Sequence, residues 1–297
     1  MSHKSGFVNI IGRPNAGKST LMNALVGERM SIITAKPQTT RHRIIGLLSG
    51  DDFQIVFSDT PGIIETPAYE MQDKMNQYAY STFEDADIML FVTTPEEVYE
   101  ADDPIIGKLK RLKVPVYLVY NKIDLSDQMA VQKKLDWWQE QVGFDKIFPI
   151  TALHKMGTQG LLEQVIDALP DSPAYYPKDQ LTDRPERFFV SEIIRERILE
   201  LYHQEIPYSS QVVVEYFKEG TNREGKPLIR IGATIFVMRK SQKNIVIGKQ
   251  GSSIKQLGIE SRKSLETFLE SKVFLELHVK VRENWRDNER DLKRMGY

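Results

Sequence analysis

The sequence predicts two units in tandem: an α/β nucleotide-binding domain with a mostly parallel sheet and helices on both faces, then a smaller α+β domain. Three observations carry this. Short apolar runs alternate with helical patterns through the first 170 or so residues, the signature of a covered parallel sheet. Residues 170–187, PDSPAYYPKDQLTDRPER, then bring four prolines that cannot continue a helix. Beyond them the order becomes α-β-β-α-α-β.

The elements follow from local pattern. Residues 7–11 (FVNII) read as a buried strand, followed by a Gly-Pro loop and a helix, KSTLMNALVG, closed at Gly27. The runs IIGLLSG and FQIVFSD, joined through Gly50-Asp51-Asp52, read as a hairpin. DIMLFVT, VPVYLVYN and KIFPIT are further strands, with helices over about 69–83, 103–113, 127–142 and 158–169. After the break, residues 188–203 place Phe189, Ile193, Ile194, Ile198 and Leu201 on one helical face, read as core. QVVVEYFK and IRIGATIFVMR form two strands around a turn containing Gly220 and Gly225. A short helix (about 241–247), a Gly-flanked turn, a longer helix (about 252–270) and the strand VFLELHVKV complete the unit. The expected domains are 1–172 and 185–297, with a linker at 173–184.

Composition narrows the class. With 41% hydrophobic and 27% charged residues, the chain has ordinary globular composition. The absence of cysteine excludes disulfides, thiolate metal sites and a cysteine nucleophile, and fits a reducing cytosol. The five histidines have no metal-ligand spacing. No window approaches a membrane span, so any membrane contact is expected to be peripheral. Charge is uneven: residues 1–172 carry 17 Lys and Arg against 23 Asp and Glu, and residues 173–297 carry 23 against 18. From Arg239 to Lys263 there are seven basic residues and one acid, Glu260, the footprint of a polyanion partner.

The run Gly12-Arg13-Pro14-Asn15-Ala16-Gly17-Lys18-Ser19 matches G-x-x-x-x-G-K-[ST] between a strand and a helix, and Thr20 follows it. Its glycines allow a tight loop whose N–H groups face phosphates. Lys18 is expected to reach the β- and γ-phosphates, and the Ser19 hydroxyl to ligate Mg²⁺. Asp59-Thr60-Pro61-Gly62, forty residues on from Ser19, puts a carboxylate at a strand end, where it can hold Mg²⁺ through water. Thr40, with Thr39 as second choice, can complete the Mg²⁺ shell only when γ-phosphate is present, which makes a switch.

Asn121-Lys122-Ile123-Asp124 follows the strand VPVYLVY. An Asp124 carboxylate can accept from guanine N1–H and the exocyclic amine, whereas adenine offers neither donor and would leave it unpaired. Asn121 can brace the loop and contact N7, and the Lys122 stem can lie along the base. A backbone N–H in Thr151-Ala152-Leu153 can meet guanine O6. The expected ligands are therefore GTP and GDP.

Together these motifs resemble the translation-factor class of P-loop GTPases: G-R-P-N-A-G-K-S-T, P-Q-T-T-R, D-T-P-G, N-K-I-D and T-A-L occur in the family order. Ile247-Gly248-Lys249-Gln250-Gly251 fits the G-x-x-G loop of a type II KH domain, and the ending W-R-D-N-x-x-x-L-K-x-x-G-Y adds to the match. The whole chain is similar to the bacterial ribosome-assembly GTPases that carry one KH domain. That resemblance implies GTP hydrolysis and small-subunit ribosomal RNA near its 3′ end as ligand. It further implies the small ribosomal subunit as partner, a cytoplasmic monomer, and a peripheral contact with the inner membrane face. Implied RNA-binding residues are Arg239, Lys240, Lys243, Ile247, Gly248, Lys249, Gln250, Gly251, Ile254 and Lys255, with Ile245, Ile247 and Ile254 as an apolar floor for bases. Asn15 matches an asparagine that holds K⁺ in related GTPases. Ile63 stands near the place where better-known GTPases carry a water-orienting glutamine. Two other readings stay open on the residues: an RNA-binding module that holds GTP without cleaving it, and a membrane or cell-cycle GTPase. Steady phosphate release separates the first, and co-sedimentation with small subunits the second.

Overall fold

In the computed structural model, which describes residues 3–34 and 36–297, the chain divides into two compact units. One comprises residues 1–66 and 74–183, the other 67–73 and 184–297.

The first unit contains β1 (Lys4–Ile11), α1 (Lys18–Val26), β2 (Ile44–Ser49), β3 (Phe53–Asp59), α2 (Glu70–Ser81, whose first four residues group with the second unit) and β4 (Ile88–Thr93). It continues through α3 (Pro104–Leu109), β5 (Val116–Tyr120), α4 (Gln128–Val142), β6 (Lys146–Pro149) and α5 (Thr158–Ala168). The strand order is β2-β3-β1-β4-β5-β6. Only β2 runs antiparallel, hairpinned to β3; the others are parallel. β4 is buried along its whole length, as expected of a strand covered on both faces. Phe91, Trp138 and Phe144 pack together on one side of it.

This topology sets the site. Each motif follows the carboxyl end of a parallel strand: Gly12 after β1, Asp59 at the end of β3, Asn121 after β5 and Thr151 shortly after β6. The register pairs Ile10 with Asp59, Ile11 with Phe91, Thr93 with Tyr120 and Tyr120 with Pro149. Motifs more than a hundred residues apart are thereby brought to one edge, where open α/β sheets bind ligands.

The proline-rich segment is strapped to this unit. Gln54 Oε1 accepts from the Tyr175 and Tyr176 amides at 2.7 and 2.9 Å, and its Nε2 donates to Tyr176 O at 2.9 Å. Leu47 N donates to Leu181 O at 2.8 Å, and Thr182 Oγ1 to Ile45 O at 2.7 Å, so the segment runs along β2 at the sheet's end.

The second unit contains α6 (Glu186–Leu201), α7 (Ile206–Ser209), β7 (Gln211–Thr221), β8 (Pro227–Val237), α8 (Lys240–Ile247), α9 (Ser252–Phe268), β9 (Lys272–Val281) and α10 (Glu289–Arg294). Its sheet, β7-β8-β9, pairs β7 with β8 antiparallel and β8 with β9 parallel. The core is built from α6, the inward residues of β8 (Ile231, Ala233, Ile235, Val237), and Leu257 and Leu265 of α9. Phe189, Ile193, Ile194 and Ile198 are buried as the helical spacing predicts. Leu201 is not: it is 38% exposed at the end of α6, where the helix stops before that face closes. The stripe also omits a buried Glu192–Arg195 ion pair one turn apart, with Arg195 Nε 2.9 Å from Glu192 Oε1.

Two elements lie outside the sequence expectation, α7 and α10. The tail that holds α10 is anchored by polar contacts that apolar periodicity does not reveal. Trp285 is fully buried and donates to Ser209 O at 3.0 Å, Arg282 grips Asp291 through two 2.7 Å bonds, and Tyr297 OH reaches Gln211 Oε1 at 3.0 Å.

Candidate nucleotide and RNA sites

A cleft of about 540 Å³ opens at the carboxyl edge of the first sheet. Lys18, Ser19, Thr40, Asn121, Asp124 and Thr151 line it together, with Pro14, Asn15, Gly17, Thr20, Thr39, Thr60, Gly62, Lys122 and Leu153. The loop after β1 needs its first glycine, because a Cβ on Gly12 would lie 2.2 Å from the Val92 carbonyl oxygen. Asn15 adopts the left-handed region at φ 66°, which asparagine tolerates better than most residues.

Lys18 is buried, and its ammonium caps the loop itself, donating to Gly12 O at 3.1 Å and Arg13 O at 2.9 Å. Burial pushes its pKa down, opposed by the carboxylates of Asp59 and Glu97. An anion in the cleft would be drawn to this desolvated charge.

Three oxygens from distant segments converge beside it. Ser19 Oγ donates to Asp59 Oδ2 at 2.6 Å and lies 2.9 Å from Thr40 Oγ1, which is itself 3.3 Å from Asp59 Oδ2. Burial pushes the Asp59 pKa up, against the Ser19 hydrogen bond and the Lys18 charge. Its second oxygen, Oδ1, is buried and accepts no hydrogen bond among the described residues. Such an orphaned carboxylate oxygen is costly unless something cationic meets it. Hard oxygen donors with a spare buried carboxylate oxygen suit Mg²⁺. Of the threonine pair, Thr40 faces this cluster, while Thr39 donates to Lys36 O at 2.6 Å and lies 2.7 Å from Thr34 Oγ1.

The base side is pinned by one residue. Asn121 Nδ2 donates to Ala16 O at 2.9 Å, and Asn121 Oδ1 accepts from Ala152 N at 3.0 Å. It thus ties the phosphate loop to the loop after β6. Thr151 Oγ1 donates to Asp124 Oδ1 at 3.0 Å, orienting the carboxylate expected to read guanine. Lys122, left-handed at φ 61°, places Nζ 3.6 Å from Glu96. Ile123 turns away from the cleft and packs against the core beneath. Leu125 and Ile33, both exposed, add apolar walls that no motif marks.

The side chain of Arg13 does not enter the cleft. Its guanidinium donates to Val98 O at 2.7 Å, pairs with Asp103 and Glu65 at 2.9 Å each, and lies 4.0 Å over the Tyr99 ring. What Arg13 offers the site is its backbone. Ile63 likewise lines a separate cavity of about 160 Å³, together with Arg13 and Tyr99, rather than the nucleotide cleft. Beneath the loop stands a tier the sequence reading missed: Glu97 accepts from Thr93 Oγ1 at 2.7 Å and Tyr99 OH at 3.1 Å, and burial raises its pKa. No spacing rule marks it; the only cue is a threonine ending a strand four residues before an acid.

In the second unit, the loop Gly248–Gly251 joins α8 to α9. Gly248 (φ 74°, ψ 175°) and Gly251 (φ 79°) hold backbone that other residues rarely adopt, and Gln250 is left-handed at φ 52°. Lys249, Gln250 and Lys255 are exposed around it. Arg239 and Lys240 sit at the far end of α8, which at 1.5 Å per residue is about 12 Å long, and Lys243 lies midway along it. The basic run is therefore spread along both helices rather than gathered at the loop, with Arg262 and Lys263 farther along α9. The three isoleucines do not form one floor. Ile247 and Ile254 pack against the core, whereas Ile245, two positions and hence about 200° around the helix from Ile247, is 51% exposed.

Among the described residues no helix is long and apolar enough to cross a membrane, and no group of three or more His, Asp or Glu side chains is placed to hold a metal. The model of the family "50S ribosome-binding GTPase" matches residues 7–122, and that of the KH domain matches residues 205–286. The chain is 47% identical to GTPase Era of Lactobacillus helveticus over 294 residues, 99% of this chain and 96% of the relative. Two solved structures cover 99% of both chains at 35% identity. One is an Aquifex aeolicus Era variant bound to GDP·AlF₄⁻, with TM-score 0.92. The other is Era in complex with MgGDPNP and nucleotides 1506–1542 of 16S ribosomal RNA, with TM-score 0.93.

Proposed function

We propose that this chain, which belongs to the Era family of GTP-hydrolysing enzymes, uses GTP binding and hydrolysis in its first unit to time the capture of small-subunit ribosomal RNA by its second. The observation that carries the nucleotide half is the convergence of Ser19, Thr40 and Asp59 within 3.3 Å beside a buried Lys18. The relative bound to MgGDPNP and 16S rRNA supports both ligands, and places its RNA in the 3′ region of that molecule.

Each residue has a task. Lys18 exchanges its two carbonyl partners for the β- and γ-phosphates. Ser19 and Thr40 give up their bonds to Asp59, and the freed oxygens fit Mg²⁺, with Asp59 acting through water. When bound, the ion supplies charge neutralisation between the β- and γ-phosphates. Because Thr40 joins this set from a separate loop, its position reports whether the γ-phosphate is present. Asp124 selects guanine, and Asn121 keeps the base loop and phosphate loop in register. Ile63 cannot orient water, so turnover by the chain alone is slow; Asn15 would be the residue to hold a K⁺, which would supply charge that a donated arginine otherwise provides. The protein acts as a cytoplasmic monomer on the small subunit, with any membrane contact peripheral.

Steady-state phosphate release with Ser19→Ala tests the assignment: kcat falls by roughly 100-fold or more, as for loss of a preorganised charge-stabilising group, while folding is retained. Wild-type turnover in Ser19→Ala would remove the metal assignment. Equal rates in Na⁺ and K⁺ buffers would remove the Asn15 role.

A further inference from the structure

Beside the glycine loop of the second unit lies a cavity of about 480 Å³, within the ~300–1,000 Å³ range of small-molecule sites. Its walls include Leu201, Gln204 and Ile245, and its edge is Ser252, Ser253 and Gln256 at the start of α9. Ile247 and Ile254, which pack against the core, do not line it. Two of its apolar side chains are exposed: Leu201 at 38%, which helical periodicity assigns to the core, and Ile245 at 51%.

The cavity is mechanically joined to the loop. Tyr202 OH donates to Val246 O at 2.9 Å, fixing the segment after α6 to the last turn before Gly248. Gln204 in that segment holds the left-handed conformation, φ 54°, uncommon for glutamine and a mark of a shaped turn. Ser253 lies against Gly248 itself, so close that a Cβ there would be 2.2 Å from Ser253 Oγ.

Resting on the RNA reading above, we propose that this cavity is a second RNA subsite that takes one unstacked nucleobase of the strand continuing off the glycine loop. Three features select this occupant. The cavity shares its edge with the loop, so a strand held there reaches it without a break. Exposed Lys249 and Lys255 flank the loop and favour a polyanion, and the neighbouring acid Glu260 is paired with Lys263 at 3.1 Å. Apolar side chains bordered by amide and hydroxyl groups match a base, which has two apolar faces and a hydrogen-bonding edge.

The test uses the full chain, a GTP analogue, and two RNAs from the small-subunit rRNA 3′ end, a tetranucleotide and a decanucleotide, read by fluorescence anisotropy. Leu201→Ala/Ile245→Ala removes only exposed side chains, and unchanged melting and GTP turnover verify its fold. The decanucleotide affinity should fall ~tenfold, equivalent to about 1.4 kcal/mol, with the tetranucleotide unaffected. One abasic position in the decanucleotide should reproduce the loss and add nothing to the variant. Equal decanucleotide binding by variant and wild type overturns the subsite, and if Gly248→Asp/Gly251→Asp still abolishes binding, the RNA reading survives. A matching loss on the tetranucleotide also overturns it, since the cavity would then be no separate site. Failure of the wild type to bind either RNA removes the RNA reading and the subsite with it.

Discussion

The two sites solve opposite problems. In the nucleotide cleft most of the groups proposed to hold the ligand are buried, Lys18, Thr40, Asp59 and Asn121 among them. At the glycine loop the groups proposed to meet RNA are exposed, with Lys249, Gln250 and Lys255 in solvent. A buried site discriminates sharply, because a wrong ligand leaves desolvated groups unpaired. An exposed site attracts many strands through charge and backbone approach and discriminates through a few bases. Burial thus sharpens the phosphate and metal end of the cleft, whereas Asp124, proposed to read the base, is exposed and selects guanine through the chemistry of its carboxylate.

The largest effect should come from breaking the buried side. Asp59→Asn should lower kcat by about 100-fold or more. The same change should raise the melting temperature of nucleotide-free protein at pH 7. Burial raises the Asp59 pKa, so the stability associated with its protonated form is present at low pH and is lost as pH rises through the folded-state value. Asparagine removes that cost, and the gap should close toward pH 4, where the wild-type carboxyl takes up its proton. A gain of ~1 kcal/mol corresponds to about 2–4 °C here. Calorimetry across pH 4–8 decides it, and a gap that widens toward acid would contradict the burial argument.

Next is base choice. Asp124→Asn places a donor where guanine also donates, so GTP affinity should drop by ~100-fold or more while XTP, with a carbonyl at that position, gains. Nucleotide competition measures the crossover, and unchanged GTP preference would remove Asp124 from base recognition.

The smallest effects belong to the exposed side, and they separate its two glycines. A Cβ on Gly248 strikes Ser253 Oγ at 2.2 Å, whereas one on Gly251 meets nothing within 4 Å and only the φ of 79° resists it. Gly251→Ala should therefore cost RNA affinity no more than about fivefold, near the ~1 kcal/mol of a left-handed alanine. Gly248→Ala should cost ~tenfold or more, since the loop must move. Equal losses in a titration would mean that backbone conformation, rather than space, controls the loop.

How much of this was legible depended on where the information lies. Motifs that each follow a strand could be assembled on paper, since a parallel sheet brings all its carboxyl ends to one edge. The direction of Arg13 could not, because Tyr99, Asp103 and Val98 capture its guanidinium from segments some 90 residues away. Glu97 was hidden for the same reason. For Ile245 the difference is one of angle: three isoleucines close in sequence read as one surface, yet two positions along a helix point nearly opposite ways. The C-terminal tail was recognisable as a motif but mute as structure, since Trp285 and Tyr297 are placed by hydrogen bonds to the distant Ser209 and Gln211, and Arg282 by Asp291 within the tail itself.

The strapped segment 175–182 has a consequence for anyone dividing the chain. β2 ends the first sheet, and an unpaired strand edge is a template on which another molecule can add. Leu181 and Thr182 occupy Leu47 N and Ile45 O on that edge. A nucleotide-binding fragment cut at residue 172 would lose its guard and expose a sticky border, while one carried to residue 183 would keep it. The prolines that look like a spacer also serve as a selvedge.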